Sequence, residues 1–148
     1  MILIILHKCD RMNAIAIQKM PQISKRSCHR IIGRHVYGNM HGIDPKLLVD
    51  AKKLEQIVLE AAAVGKMHII EVMKYQFSNK ATADYGGVSI IALIAESHIA
   101  LHTWPESNYA TLDIYSCGND ADPKAAFSYF LSTMKPASYK QYYADRSN

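Results

Sequence analysis

Gly87 to Gly118 reads GVSIIALIAESHIALHTWPESNYATLDIYSCG. It divides into three extended segments with almost nothing between them. Val88 to Ala95 (VSIIALIA) is a nearly continuous apolar run and predicts a strand buried on both faces. Ser97 to Trp104 alternates, with His98, Ala100 and His102 on one side and Ile99, Leu101 and Thr103 on the other. Tyr109 to Tyr115 alternates too, and Pro105-Glu106-Ser107-Asn108 between them is turn chemistry. Links this short join antiparallel neighbours.

Outward from this stretch the pattern extends to both ends. His35 to Met40 predicts a first strand, weakened by Gly38. Asp44-Pro45 marks a helix start, with Asp as N-cap and Pro at the first helical position. Leu47, Leu48, Ala51, Leu54, Val58, Ala61 and Ala62 then form one apolar face, closed by Gly65 at C′. Met67 to Phe77 is rich in β-branched and aromatic residues and predicts a strand, followed by a polar connection from Ser78 to Gly87. Asp122-Pro123 repeats the start signal, and a short helix through Ala126, Phe127, Phe130 and Met134 stops at Pro136. Ser138 to Tyr143 supplies a last strand. The order β-α-β-β-β-β-α-β predicts an α+β two-layer sandwich, an antiparallel sheet with two helices on one face. The other sheet face needs cover, and dimerisation through the sheets is one solution.

Composition narrows the class. The chain has 148 residues, 49% of them hydrophobic and 20% charged, enough for one domain with its own core. The net charge of +4 comes from the first part of the chain. From Gly33 onward eleven Lys and Arg face twelve Asp and Glu, and no basic stripe argues for nucleic acid. Residues 1–31 read as a weakly ordered, basic N-terminal extension, and residues 32–148 as the domain. Three cysteines (Cys9, Cys28, Cys117) in no framework spacing point to reduced thiols and a cytoplasmic setting. The apolar run in MILIILHKCDR is too short to span a bilayer, so no membrane partner is expected.

Glu96-Ser97-His98, His102, Thr103-Trp104-Pro105-Glu106 and Cys117, in this spacing, resemble the prokaryotic S-adenosylmethionine decarboxylases. These enzymes make a pyruvoyl cofactor by cutting their own backbone before a serine. The resemblance runs from about Gly33 to the end and implies the fold of that family. It implies an inactive proenzyme, cleaved between Glu96 and Ser97 into a β chain (1–96) and an α chain (97–148). Ser97 would attack the preceding carbonyl, moving the acyl group from nitrogen to oxygen, and elimination would then leave a pyruvoyl group in its place. The resemblance gives His102 the base role in processing and Cys117 that of proton donor in decarboxylation. Ser89 is linked to processing, and Glu106 to the ribose hydroxyls of the substrate. The pyruvoyl carbonyl would form a Schiff base with the substrate amine and draw off electrons as carbon dioxide leaves. A homodimer of cleaved protomers is implied, in spermidine synthesis.

Several readings compete with this one. Strand alternation puts Ser97 and His102 on opposite sides of a straight strand, so Ser97 is expected in a strained turn or bulge. No Phe lies between Phe77 and the cleavage site to stack on adenine; Tyr85, Phe77 or Tyr37 would have to serve. A related archaeal branch with the same motifs decarboxylates arginine, for which Asp84 and Glu106 would form the acidic pocket. A non-catalytic relative would lack Ser97, His102 or Cys117, and all three are present. His98, His102 and Cys117 do not make a metal site, because H-x3-H is helical spacing and this segment reads as a strand. His98 is read as structural and Trp104 as packing.

Overall fold

The computed structural model describes residues 31–78 and 85–148. The N-terminal extension, apart from Ile31, and Asp84 of the alternative arginine pocket lie outside these residues. Six strands form one antiparallel sheet: β1 (Arg34–His41), β2 (Ile69–Ser78), β3 (Tyr85–Ile94), β4 (Ser97–Trp104), β5 (Tyr109–Ser116) and β6 (Ser138–Asp145). Their spatial order is β2-β3-β4-β5-β1-β6. The quoted stretch thus supplies three adjacent strands, and β1 closes beside β5 over a full eight-residue register, Arg34↔Ser116 to His41↔Tyr109.

The helices are α1 (Pro45–Leu48), α2 (Ala51–Val64) and α3 (Pro123–Met134). The sequence predicts one helix where α1 and α2 stand. The chain breaks at Val49 because Asp50 caps a new helix, its carboxylate accepting from the Lys53 N–H at 2.9 Å, just as Asp44 accepts from Lys46 N–H at 2.9 Å. The apolar spacing runs through the break, which conceals it. α2 and α3 pack on each other and on one face of the sheet. Between the layers lie Val36, Met40, Ile90, Ile99, Leu101, Leu112 and Ile114 from the strands. From the helices come Leu54, Ile57, Val58, Phe127 and Phe130, all essentially without solvent contact. The two-layer α+β architecture is the one the sequence implies.

Two expectations about strands are corrected. β3 is covered on one face only: Val88, Ile90, Ala92 and Ile94 are buried, whereas Ile91 and Leu93 are 46% and 49% exposed. One chain has no second layer to cover them. Gly38 does not weaken β1 but permits its pairing with β6, since a Cβ there would stand 2.1 Å from the Lys140 carbonyl oxygen. The open sheet face carries Met73 and Tyr75 of β2, Ile91 and Leu93 of β3, Trp104 of β4, and Tyr37 and Tyr142 stacked at 5.3 Å across β1 and β6.

Candidate active site

β3 and β4 form a hairpin in which Ile94 pairs with Ser97, so Ala95 and Glu96 are its two-residue turn. Ser97, the first residue of β4, has φ +151°, a region that L-residues with a Cβ rarely occupy. The expected irregularity at Ser97 is therefore a backbone outlier at the hairpin corner. Around it, the Glu96 carbonyl is doubly gripped. It accepts from the Cys117 backbone N–H at 2.9 Å and from the Cys117 thiol at 3.0 Å. β5 delivers Cys117 there, because Ser116, its last residue, pairs with Ser97. Arg34 secures the following loop through the carbonyls of Asn119 and Ala121. Gly118 is required as well: a Cβ would stand 2.6 Å from Glu96 Cγ.

The Glu96 side chain is also held. Its carboxylate accepts from the His68 backbone N–H at 3.0 Å and pairs with His68 Nδ1 at 2.6 Å. Burial pushes the carboxyl pKa up, but the His68 hydrogen bonds outweigh it and hold it below the usual value. Sequence reasoning gave His68 no role; its only sequence signal is a histidine before a strand.

A second group of residues sits further along the same strands. Ser89 on β3 pairs with His102 on β4, and their side chains meet at 2.8 Å, Ser89 Oγ to His102 Nδ1. Both line a cleft of about 520 Å³ with Phe77, Gly87, Trp104 and Glu106. Glu106 lies in the 3-10 turn Pro105–Ser107 after β4. Trp104, read from the sequence as packing, lies 5.3 Å from the Tyr109 ring, is 40% exposed and forms part of the cleft wall. Of the three candidates for a stacking face, Phe77 lies in this cleft and Tyr37 in a neighbouring one of about 390 Å³. The side chain of Tyr85 is outside the described residues.

The structure therefore brings Glu96, Ser97 and Cys117 together, and separately brings Ser89, His102 and Glu106 together. Within one chain it does not bring His102 to Ser97, because five residues of extended strand span about 16 Å. Next to Ser97 stands His98 instead, its Nδ1 3.3 Å from Ser97 Oγ. Among the described residues, no group of three or more His, Cys, Asp or Glu is placed to hold a metal ion, and no helix is long and apolar enough to cross a membrane.

An antiparallel sheet backed by helices, with a doubly hydrogen-bonded carbonyl beside a strained serine, defines a small α+β protein with a candidate site at a hairpin corner. Residues 34–147 match the family described as S-adenosylmethionine decarboxylase. The fold is similar to the crystal structure of the adenosylmethionine decarboxylase from Aquifex aeolicus VF5, with a TM-score of 0.70 and 26% sequence identity. That likeness covers 79% of this chain and 92% of the other. The chain belongs to the S-adenosylmethionine decarboxylase family.

Proposed function

We propose that the chain is a pyruvoyl-dependent S-adenosylmethionine decarboxylase, made as a proenzyme that cuts itself between Glu96 and Ser97. The observation that carries this reading is the grip of Cys117 on the Glu96 carbonyl beside the strained Ser97. When Ser97 Oγ attacks that carbonyl, negative charge develops on the oxygen that the Cys117 N–H and thiol already face. Donors fixed before the reaction stabilise such an oxyanion strongly. The off-region φ of Ser97 stores about 1–3 kcal/mol, and breaking the Glu96–Ser97 bond releases it. The residues present fit the group they would generate: a serine at a chain corner, with the Cys117 thiol on the adjoining Glu96 carbonyl. The pyruvoyl group supplies an electron sink for decarboxylation. Cys117, beside the reacting centre, then delivers the proton that replaces carbon dioxide.

The cleft walls suit an adenosyl substrate. Phe77 and Trp104 offer aromatic faces, and Glu106 offers a carboxylate that can accept two hydrogen bonds from a cis-diol. Its product would serve as the aminopropyl donor in spermidine synthesis. A reducing, cytoplasmic setting suits the thiol chemistry.

His102 acts as the base for elimination in this reading, and it must come from a second copy. The open sheet face supports a two-fold dimer of cleaved protomers in which the Ser97 end of one sheet meets the His102–Ser89 end of the other.

Intact-mass spectrometry of the purified protein tests the proposal. Two chains splitting at Glu96/Ser97, with a pyruvoyl mass on the smaller one, are expected. Borohydride trapping with S-adenosylmethionine, and not with arginine, should leave an adduct on that chain. A single uncut chain with Ser97 intact would refute the self-cleaving reading.

A further inference from the structure

His98 is the group in contact with the Ser97 hydroxyl, and it belongs to a longer chain of contacts. Its Nε2 lies 3.2 Å from Asp113 Oδ1. The other oxygen of the same carboxylate, Oδ2, lies 2.8 Å from His35 Nε2. The sheet register produces this arrangement. Tyr115 pairs with His98 on β4 and with His35 on β1. Asp113, two residues before Tyr115 on β5, is therefore the diagonal neighbour of both histidines on one face. The Tyr115 ring lies 6.0 Å from the His98 ring and 5.8 Å from the His35 ring, and walls the cluster on one side.

The hydrogen-bond inventory fixes the roles. A carboxylate only accepts, so in each histidine Nε2 carries the hydrogen that bonds Asp113. A neutral His98 then has its lone pair on Nδ1, facing the Ser97 hydroxyl at 3.3 Å. A serine hydroxyl, an imidazole acceptor and a carboxylate that orients the imidazole make up a general-base relay.

Building on the self-cleaving reading above, we propose that His98 is the base of the first processing step, the transfer of the Glu96 acyl group to Ser97 Oγ, with Asp113 and His35 as positioning residues. The Ser97 hydroxyl proton moves to His98 Nδ1 as Oγ bonds the Glu96 carbonyl carbon. The bond from that carbon to the Ser97 nitrogen breaks. His98 returns the proton to the departing nitrogen, which leaves as an amine. The step is an isomerisation, with no net uptake or loss of protons. Asp113 stabilises the imidazolium formed on the way. His102 is left with the second step alone, removal of the Ser97 α-proton during elimination.

The two steps are separable because hydroxylamine cuts an ester and leaves an amide intact. Freshly translated chains are followed over time, each sample quenched with and without hydroxylamine and weighed by mass spectrometry. His102→Ala should accumulate a hydroxylamine-sensitive ester whose released fragment begins with an unmodified Ser97. His98→Gln should form that ester on the order of 10²-fold more slowly than wild type, or slower. Asp113→Asn should slow ester formation by a similar order while leaving elimination from the ester unchanged. Added imidazole should restore ester formation in His98→Ala. Ester formation at the wild-type rate in either His98→Gln or Asp113→Asn would overturn the proposal. So would a loss in His98→Ala that imidazole does not restore, since that identifies a packing role. A wild-type chain that is never cut would instead overturn the self-cleaving reading itself.

Discussion

In the proposed reaction the chemistry at the scale of single residues rests mainly on Ser97 and Cys117. A glycine accepts the φ of +151° without penalty, whereas alanine does not. Ser97→Gly and Ser97→Ala should both remain uncut, and the glycine variant should be more stable by about 1–3 kcal/mol in urea melts. Cys117→Ser keeps a side-chain donor on the Glu96 carbonyl but not the thiol. It should still be cut, as seen on a gel, while decarboxylation falls on the order of 10²-fold or more. Glu96 gives a pH dependence with a definite sign. Its carboxyl is held low in the folded chain, so its contribution to stability is present above the ordinary Glu pKa, about 4.3. That contribution is lost as the pH falls through the lowered folded value. Measured in the uncut Ser97→Ala background, Glu96→Gln should flatten this part of the acid-unfolding curve. An unchanged acid limb would show that the His68 contact contributes nothing.

At the scale of elements, the sheet register is what assembles the site. The pairing of Ser97 with Ser116 sets Cys117 under the Glu96 carbonyl, and the pairing of Ser89 with His102 sets the second group. Both depend on how firmly the helical layer holds the sheet. Phe127 sits against β1 at Gly38, fully buried. Phe127→Ala should cost about 3–5 kcal/mol by thermal or chemical unfolding. Much of this level was legible in the sequence. The six strands and the α3 helix follow from alternation, β-branched and continuous apolar runs, turn residues and Asp-Pro signals. The break between α1 and α2 was concealed because the apolar spacing continues across Asp50, a cap signal that periodicity outweighed. β3 reads as doubly buried because an apolar residue looks the same whether its cover comes from its own chain or from another.

At the scale of the whole molecule, the open sheet face is the main uncovered apolar surface of a single chain. It exposes Met73, Ile91 and Leu93 side by side, which is unusual unless a partner covers them. Leu93→Asp should therefore shift the protein toward monomer in sedimentation and abolish cleavage. The same arrangement predicts complementation. When Ser97→Ala and His102→Ala chains are co-expressed, the His102→Ala chain should be cut, because its Ser97 meets the intact His102 of the partner. Failure of complementation between chains that do associate would place the elimination base within one protomer.

The sequence by itself determined the local choices, strand against helix and where turns fall, because those depend on periodicity and residue type, which the chain states directly. Its resemblance to the family nominated Ser97, His102 and Cys117. Only the tertiary structure decided which of those groups meet. Glu96 and Cys117 are 21 residues apart, and His35 and Asp113 are 78 apart. Their contacts come from antiparallel register and diagonal neighbours across three strands. His102, five residues from Ser97 in sequence, is kept away from it by the length of an extended strand. Sequence separation does not report distance once a chain is folded into a sheet, and that is why the contacts of Cys117 with Glu96, and of Asp113 with His98 and His35, could be recognised only in three dimensions.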